Sequence, residues 1–274
     1  MKVAIGFYGF IRTKITRENV SNFMKLFPSD TVFDLYVNCP NKLKEFDEEL
    51  FNIIEMKKEL YEIFNFPNIN IGKINLFQYD PFIFINKSEI LKLPYCIEVN
   101  NLFGCFFRTI SLHYGISNIC KLISIQNIEY DMVVCTRFDI FPNIISIGDC
   151  IEKINKKNIF ILDDTHGYAY DIIFYSSMYG INILSNMYDY MYNEFKICIT
   201  QSNLCSEWII TDYLNKFQLL EKKHFNGMKI NTDNLLISTI SRTQPEFKKN
   251  MMNLLKEYNK LYKRNYFEDK IEYK

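Results

Sequence analysis

Three short segments of the 274-residue sequence combine residues that handle charge with residues that let a ligand come close. The first is Gly6-Phe7-Tyr8-Gly9, followed by Arg12. The second is Arg137-Phe-Asp139, and the third is Asp163-Asp164 with His166 and Asp171 close behind. Arginine complements anions such as phosphates, and carboxylates hold a cation or take a proton from a hydroxyl. Glycine has no Cβ and lets a ligand approach the backbone. Each segment follows an apolar, β-rich run, so all three read as polar strand ends. Open α/β sheets bind ligands beyond the carboxyl ends of their strands, which makes three such ends on one sheet a site hypothesis. Gly6-x-x-Gly9 is not a G-x-G-x-x-G fingerprint and nothing matches a P-loop. That disfavours a standard dinucleotide dehydrogenase and a P-loop kinase.

The elements that must position these ends follow from hydrophobic spacing. KVAIGFY (2–8) reads as a first strand, ENVSNFMKLF (18–27) as a helix stopped by Pro28-Ser29-Asp30, and TVFDLYVNC (31–39) as a second strand. Strand, helix and strand so close together form a βαβ unit and a parallel pair. A long charged helix is expected over 41–64, with Leu50, Ile53, Ile54, Leu60 and Ile63 as its apolar stripe. A short strand follows within 68–80, then an irregular, Pro-flanked region from Pro81 to Pro94. A second long helical stretch spans Asn101 to Ile128, its aromatics read as core, with His113 on it as a satisfied histidine. YDMVVCTRFDI (130–140) has the unbroken apolar run of a central parallel strand. NIFILDD (158–164) and YDIIFYSS (170–177) are further strands, and the chain beyond Met178 reads as helices. The expected class is α/β, with a mostly parallel central sheet flanked by helices, a helical C-terminal part, and one domain over 1–274. Residues 246–274 form its Lys-rich helix or tail.

Composition removes several classes. Lys+Arg and Asp+Glu balance at 32 each, which argues against a generic nucleic-acid binder. With 48% hydrophobic residues the chain is not intrinsically disordered. No uninterrupted apolar run reaches the ~18–20 residues needed to span a bilayer, and the N-terminal segment does not read as a signal peptide. The 8 cysteines contain no C-x-x-C pair and no zinc spacing. They are expected to be free, mostly buried thiols of a reducing compartment, hence a cytoplasmic setting (host cytoplasm or virion for a viral protein). Ile, Asn, Lys, Tyr and Phe are abundant beside only 9 Gly and 7 Pro, the bias of an AT-rich genome, viral or bacterial.

KVAIGFYGFIR, FDLYVNC, EYDMVVCTRFDI and DIIFYSS, in this order, resemble the capsular or lipopolysaccharide-type glycosyltransferases related to WavE. Ser206-Glu207-Trp208-Ile209-Ile210 also suits that pattern. The resemblance implies a GT-A-like, Rossmann-type fold that binds a nucleotide-diphosphate sugar and passes the sugar to a glycan or other hydroxyl acceptor. It implies a nucleotide-sugar site from Gly6, Phe7, Tyr8, Gly9, Arg12, Arg137, Asp139, Asp163, Asp164 and His166. Arg12 and Arg137 would face the diphosphate. Asp171 and Glu207 compete as general base. Asp139, with His224 as a late ligand, would hold a divalent metal, Mn²⁺ or Mg²⁺. Tyr8 stands where the family has a small residue, and Arg137 replaces the first acid of the usual Asp-x-Asp. Arg137 could therefore neutralise the leaving diphosphate itself, with less dependence on metal. Two other readings are an inactive nucleotide-sugar-binding relative and an interaction protein docking through its C-terminal helix.

Overall fold

The computed structural model describes residues 1–11, 16–41, 51–78, 107–137, 159–163, 169–198 and most of 210–217. Six strands form one sheet: β1 (Lys2–Tyr8), β2 (Val32–Pro40), β3 (Ile69–Phe77), β4 (Met132–Arg137), β5 (Ile159–Asp163) and β6 (Ala169–Ser176). Their spatial order is β3-β2-β1-β4-β6-β5. β1 pairs in parallel with β2 and β4, and β2 pairs in parallel with β3. Only β6 runs the other way, between β4 and β5. The helices are α1 (Arg17–Met24), α2 (Ile53–Ile63), α3 (Phe107–Ser124), α4 (Met178–Leu184) and α5 (Met187–Cys198). Ile210, Tyr213 and Leu214, also helical, enter the core. The protein is thus α/β, with a mostly parallel central sheet flanked by helices. Among the described residues no helix is long and apolar enough to cross a membrane.

Local sequence explains the helix boundaries. Thr16 caps α1 through a reciprocal pair: its hydroxyl accepts from the Asn19 amide at 3.2 Å, and Asn19 Oδ1 accepts from the Thr16 amide at 3.0 Å. Val20 and Phe23 form the buried stripe of this helix. The expected helix over 41–64 is observed only from Ile53, because Asn52 caps it by accepting from the Ile54 amide at 2.9 Å. Residues 42–50 lie outside the described residues. Leu60 is buried as expected, but Ile54 is 79% exposed and does not belong to the stripe. Phe51 and Met56 pack the start of α2 against the core instead.

The sheet separates two apolar layers, and β1 feeds both by strict alternation. Val3, Ile5 and Phe7 join the layer containing Val20 and Phe23 of α1 and Leu60 of α2. Ala4 and Tyr8 join the layer of Ile116, Ile119, Cys120 and Ile123 of α3. Helix α3 is itself covered, because Ser117 on its far side receives the Tyr188 amide at 2.7 Å and donates to the Leu184 carbonyl at 3.2 Å. Burial on two sides is why this segment is apolar nearly all round. His113 is fully buried within it. Cys39, Cys120 and Cys135 are buried thiols outside any disulfide, and burial, with the Cys135 sulfur beside it, pushes the Cys120 thiol up.

One glycine sets how close α3 lies. A Cβ on Gly6 would sit 2.6 Å from Ile119 Cγ1, 3.0 Å from Ile123 Cδ1 and 3.3 Å from Cys135 Sγ. Gly115 is less demanding, its nearest neighbour being Tyr8 Cδ2 at 3.5 Å, an ordinary contact. Gly6→Ala is expected to lower unfolding stability by about 1–3 kcal/mol in urea titrations. In a double-mutant cycle with Ile119→Ala, which removes the Cγ1 that the new Cβ would strike, the two losses should be less than additive, and Gly115→Ala should cost much less than Gly6→Ala.

A buried polar cluster ties the strands together at their amino ends. Asp34 of β2, 6% exposed, accepts from the Tyr130 hydroxyl at 2.8 Å and from Asn70 Nδ2 of β3 at 2.9 Å, and pairs with Lys2 Nζ at 3.2 Å. The Tyr36 hydroxyl completes the cluster, 2.7 Å from that of Tyr130. Burial, then the hydrogen bonds to Tyr36 and Asp34, hold Tyr130 protonated well above the usual tyrosine range. Tyr36 lies over Gly72, where the β2–β3 register shifts. Next to it, Asp131 accepts from the Lys2 amide at 2.7 Å and returns its own amide to the Lys2 carbonyl at 2.9 Å. The Tyr130-Asp131 dipeptide of the sequence pattern is therefore a strand-docking device. Asp34→Ala should destabilise by about 2–4 kcal/mol, because buried hydroxyls and an amide lose a charged acceptor. Asp131→Ala, at the exposed edge, should cost about 1 kcal/mol. Both values are read from denaturant midpoints.

Candidate functional site

The sheet changes winding direction between β1 and β4. From β1 the chain moves outward through β2 to β3, then returns to the other side of β1 as β4. Such a switch point opens a crevice at the carboxyl ends of the two strands, because their connections leave in opposite directions. Register places Tyr8 opposite Arg137 there, the last residues of β1 and β4. Gly9 follows with φ of +85°, a turn that a residue with a Cβ adopts only with strain. A Cβ at Gly9 would lie 4.0 Å from Arg137 Cγ, so the half-buried arginine stem runs beside this turn.

Helix α3 crosses the sheet antiparallel to β1. Its Ile119 and Ile123 flank Gly6, and Gly115 lies against Tyr8 and Gly9. The N-terminal half of α3 therefore runs on past the carboxyl edge. Tyr8 itself is fully buried, its ring 6.4 Å from that of Phe174. The bulk of Tyr8 is absorbed under α3, and only its backbone reaches the edge. Phe7 packs into the opposite layer, 5.6 Å from the Phe64 ring. Gly6 is occupied by Ile119 and Ile123, so its missing Cβ serves helix packing. Of the opening segment, Gly9 is left as the position where backbone meets the edge.

The acidic residues can be followed only along the backbone. Asp163 ends β5, which runs in the direction of β1, and it pairs with Ala169. Asp171 lies two positions before Ile173, whose partner is Thr136. Because β6 is antiparallel, both positions fall at the carboxyl edge with Arg137. Arg12, Asp139, Asp164, His166, Glu207 and His224 lie outside the described residues. Among the described residues no group of three His, Cys, Asp or Glu side chains could hold a metal ion. The metal set expected from sequence, Asp139 with His224, lies entirely outside them, so no chemical step is assigned to a metal here.

No protein-family model and no curated protein sequence matches the chain. Among solved structures it is similar to the WbbM bifunctional glycosyltransferase in its apo form. The TM-score is 0.39 and the identity 12%, over 81% of this chain and 37% of that one. The chain thus spans little more than a third of the length of that protein.

Two residues of this edge escaped the sequence reading. Asn38 of β2 pairs with Tyr8 in register, and Asn75 of β3 pairs with Asn38. Nothing in TVFDLYVNC marks that asparagine, since Asn is abundant throughout the chain; only the register brings it beside Tyr8 and Arg137. Gly9→Ala should lower stability by about 1–2 kcal/mol through its positive φ. Gly9→Asn, which tolerates that conformation better, should recover part of the loss in the same thermal or urea titration.

Proposed function

We propose that the carboxyl edge at the β1/β4 switch point binds a nucleotide-diphosphate sugar, and that the protein is a glycosyltransferase. The observation that carries this reading is the juxtaposition of the Tyr8-Gly9 turn with Arg137 at the switch point, under the middle of α3. A diphosphate carries its charge on several oxygens. A guanidinium gives two parallel N–H bonds to such a group. A glycine turn lets the ligand lie against the main chain. The requirement is local, so it is compatible with a net charge of +0.

In this reading Arg137 takes up the charge that develops on the leaving nucleoside diphosphate as the glycosidic bond breaks. Arg12 joins it from just beyond the Gly9 turn. Asp171 or Glu207 accepts the proton of the attacking hydroxyl if the configuration at the sugar inverts. Asp163, Asp164 and His166 belong to the sugar side of the site. Asp139 and His224 are the residues that would hold a divalent ion, which would neutralise diphosphate charge.

Thermal shift and calorimetry with UDP, GDP, CMP and dTDP sugars, with and without Mn²⁺, test this reading. At least one nucleotide should raise the melting temperature, and Arg137→Gln should weaken its binding about 10- to 100-fold. The melting temperature of unliganded Arg137→Gln, measured alongside, separates a loss of binding from a loss of fold. Binding without sugar transfer to any acceptor would mark a binding-only relative. No shift with any nucleotide would remove the reading.

A further inference from the structure

Four neighbouring strands carry polar or charged residues at one level of the carboxyl edge. The register runs Asn75 (β3), Asn38 (β2), Tyr8 (β1), Arg137 (β4). By alternation along the strands they share the face covered by α3, since Ala4, Tyr36 and Cys135 point into that layer. Strands lie about 4.8 Å apart, so Asn38 and Arg137, two strands from each other, are separated by about 10 Å along the edge.

Asn38 is 5% exposed. Its Oδ1 accepts from Asn75 Nδ2 at 2.6 Å, while its own Nδ2 has no hydrogen-bond partner. Turning both carboxamides over would reverse this bond but still leave one polar atom of Asn38 unused. Buried amides with an unused donor are uncommon in folded proteins and call for an explanation such as a bound group. Thr31 Oγ1 is also buried without a partner, but it precedes β2 at the amino edge, away from Arg137.

We infer that Asn38 is a ligand contact that selects a two-part ligand: its amide donates to an uncharged acceptor oxygen lying about 10 Å from the anion held at Arg137. This rests on the nucleotide-sugar reading of the same edge and adds to it the demand for a carbonyl or hydroxyl oxygen on the nucleoside part. A nucleoside diphosphate supplies both parts. Inorganic diphosphate supplies only the anion.

Calorimetry on the full chain with UDP, GDP, CDP, dTDP and inorganic diphosphate tests the contact, using Asn38→Asp and Asn38→Leu. Asn38→Asp keeps the shape and can still accept from Asn75, but has no N–H to give. Asn38→Leu removes the unused donor altogether. Both variants should bind the preferred nucleotide about tenfold more weakly. Inorganic diphosphate should bind as it does to the parent, and unliganded Asn38→Leu should melt somewhat lower, because Asn75 Nδ2 loses its acceptor. Unchanged nucleotide affinity in Asn38→Asp would overturn the contact and leave the nucleotide reading standing. An equal loss for inorganic diphosphate would overturn it too, since the effect would then pass through Arg137. Lower melting temperatures in both variants with affinities intact would make Asn38 a structural residue. A parent protein that binds no nucleoside diphosphate would overturn both the reading and the contact.

Discussion

The contact of Gly6 with Ile119 and Ile123 determines how the rest of the molecule is arranged. A strand and a helix meet at side-chain distance unless one of them gives up its Cβ, and here β1 does so at its middle. The helix then lies low enough for Gly115 to touch Tyr8 and the Gly9 backbone. With α3 seated, its outer side becomes the support for α4 and α5 through Ser117, and for Ser124, which donates to Asn182 at 2.7 Å. Raising α3 by the width of a methyl group would loosen both interfaces at once, because close-packed interiors do not absorb such a shift locally.

The two edges of the sheet divide the work. At the amino edge every strand from β1 to β4 is tied into the cluster around the buried Asp34, with Tyr130 and the exposed Asp131, through short hydrogen bonds. At the carboxyl edge, register aligns polar groups but leaves a donor of Asn38 unused. A satisfied network holds geometry, and an unsatisfied one keeps capacity for something else. Rigidity at one edge lets the other hold its residues at fixed spacing.

How much of this was legible in the sequence depends on which physical signal carried it. Strands β1, β2 and β4 were readable because burial on both faces demands an unbroken apolar run, and VAIGFY, LYV and MVVC supply one. The start of α2 was not, because the charged residues before Asn52 continue its helical pattern and only the cap decides where it begins. Gly6 was read as a ligand-approach glycine, since sequence cannot say whether a missing Cβ makes room for a ligand or for Ile119. Tyr130 and Asp131 were grouped with the resemblance pattern, yet their partners lie more than ninety residues away in Asp34 and Lys2. Asn38 was invisible for the same reason: its meaning is a matter of register between strands, which no local pattern encodes.

The reversed strand β6 has a consequence for how this edge is assembled. β5 and β6 are antiparallel neighbours joined through residues 164–168, so their pairing closes a short loop and needs no crossover. The backbone positions of Asp163 and Asp171 are brought together by that local event. The arginine side needs β4 docked beside β1, a pairing that spans 129 residues between Lys2 and Asp131. A contact of such separation costs more chain entropy to close than the β5–β6 loop does. The acidic half of the edge is thus held by a local pairing, and the cationic half by a long-range one.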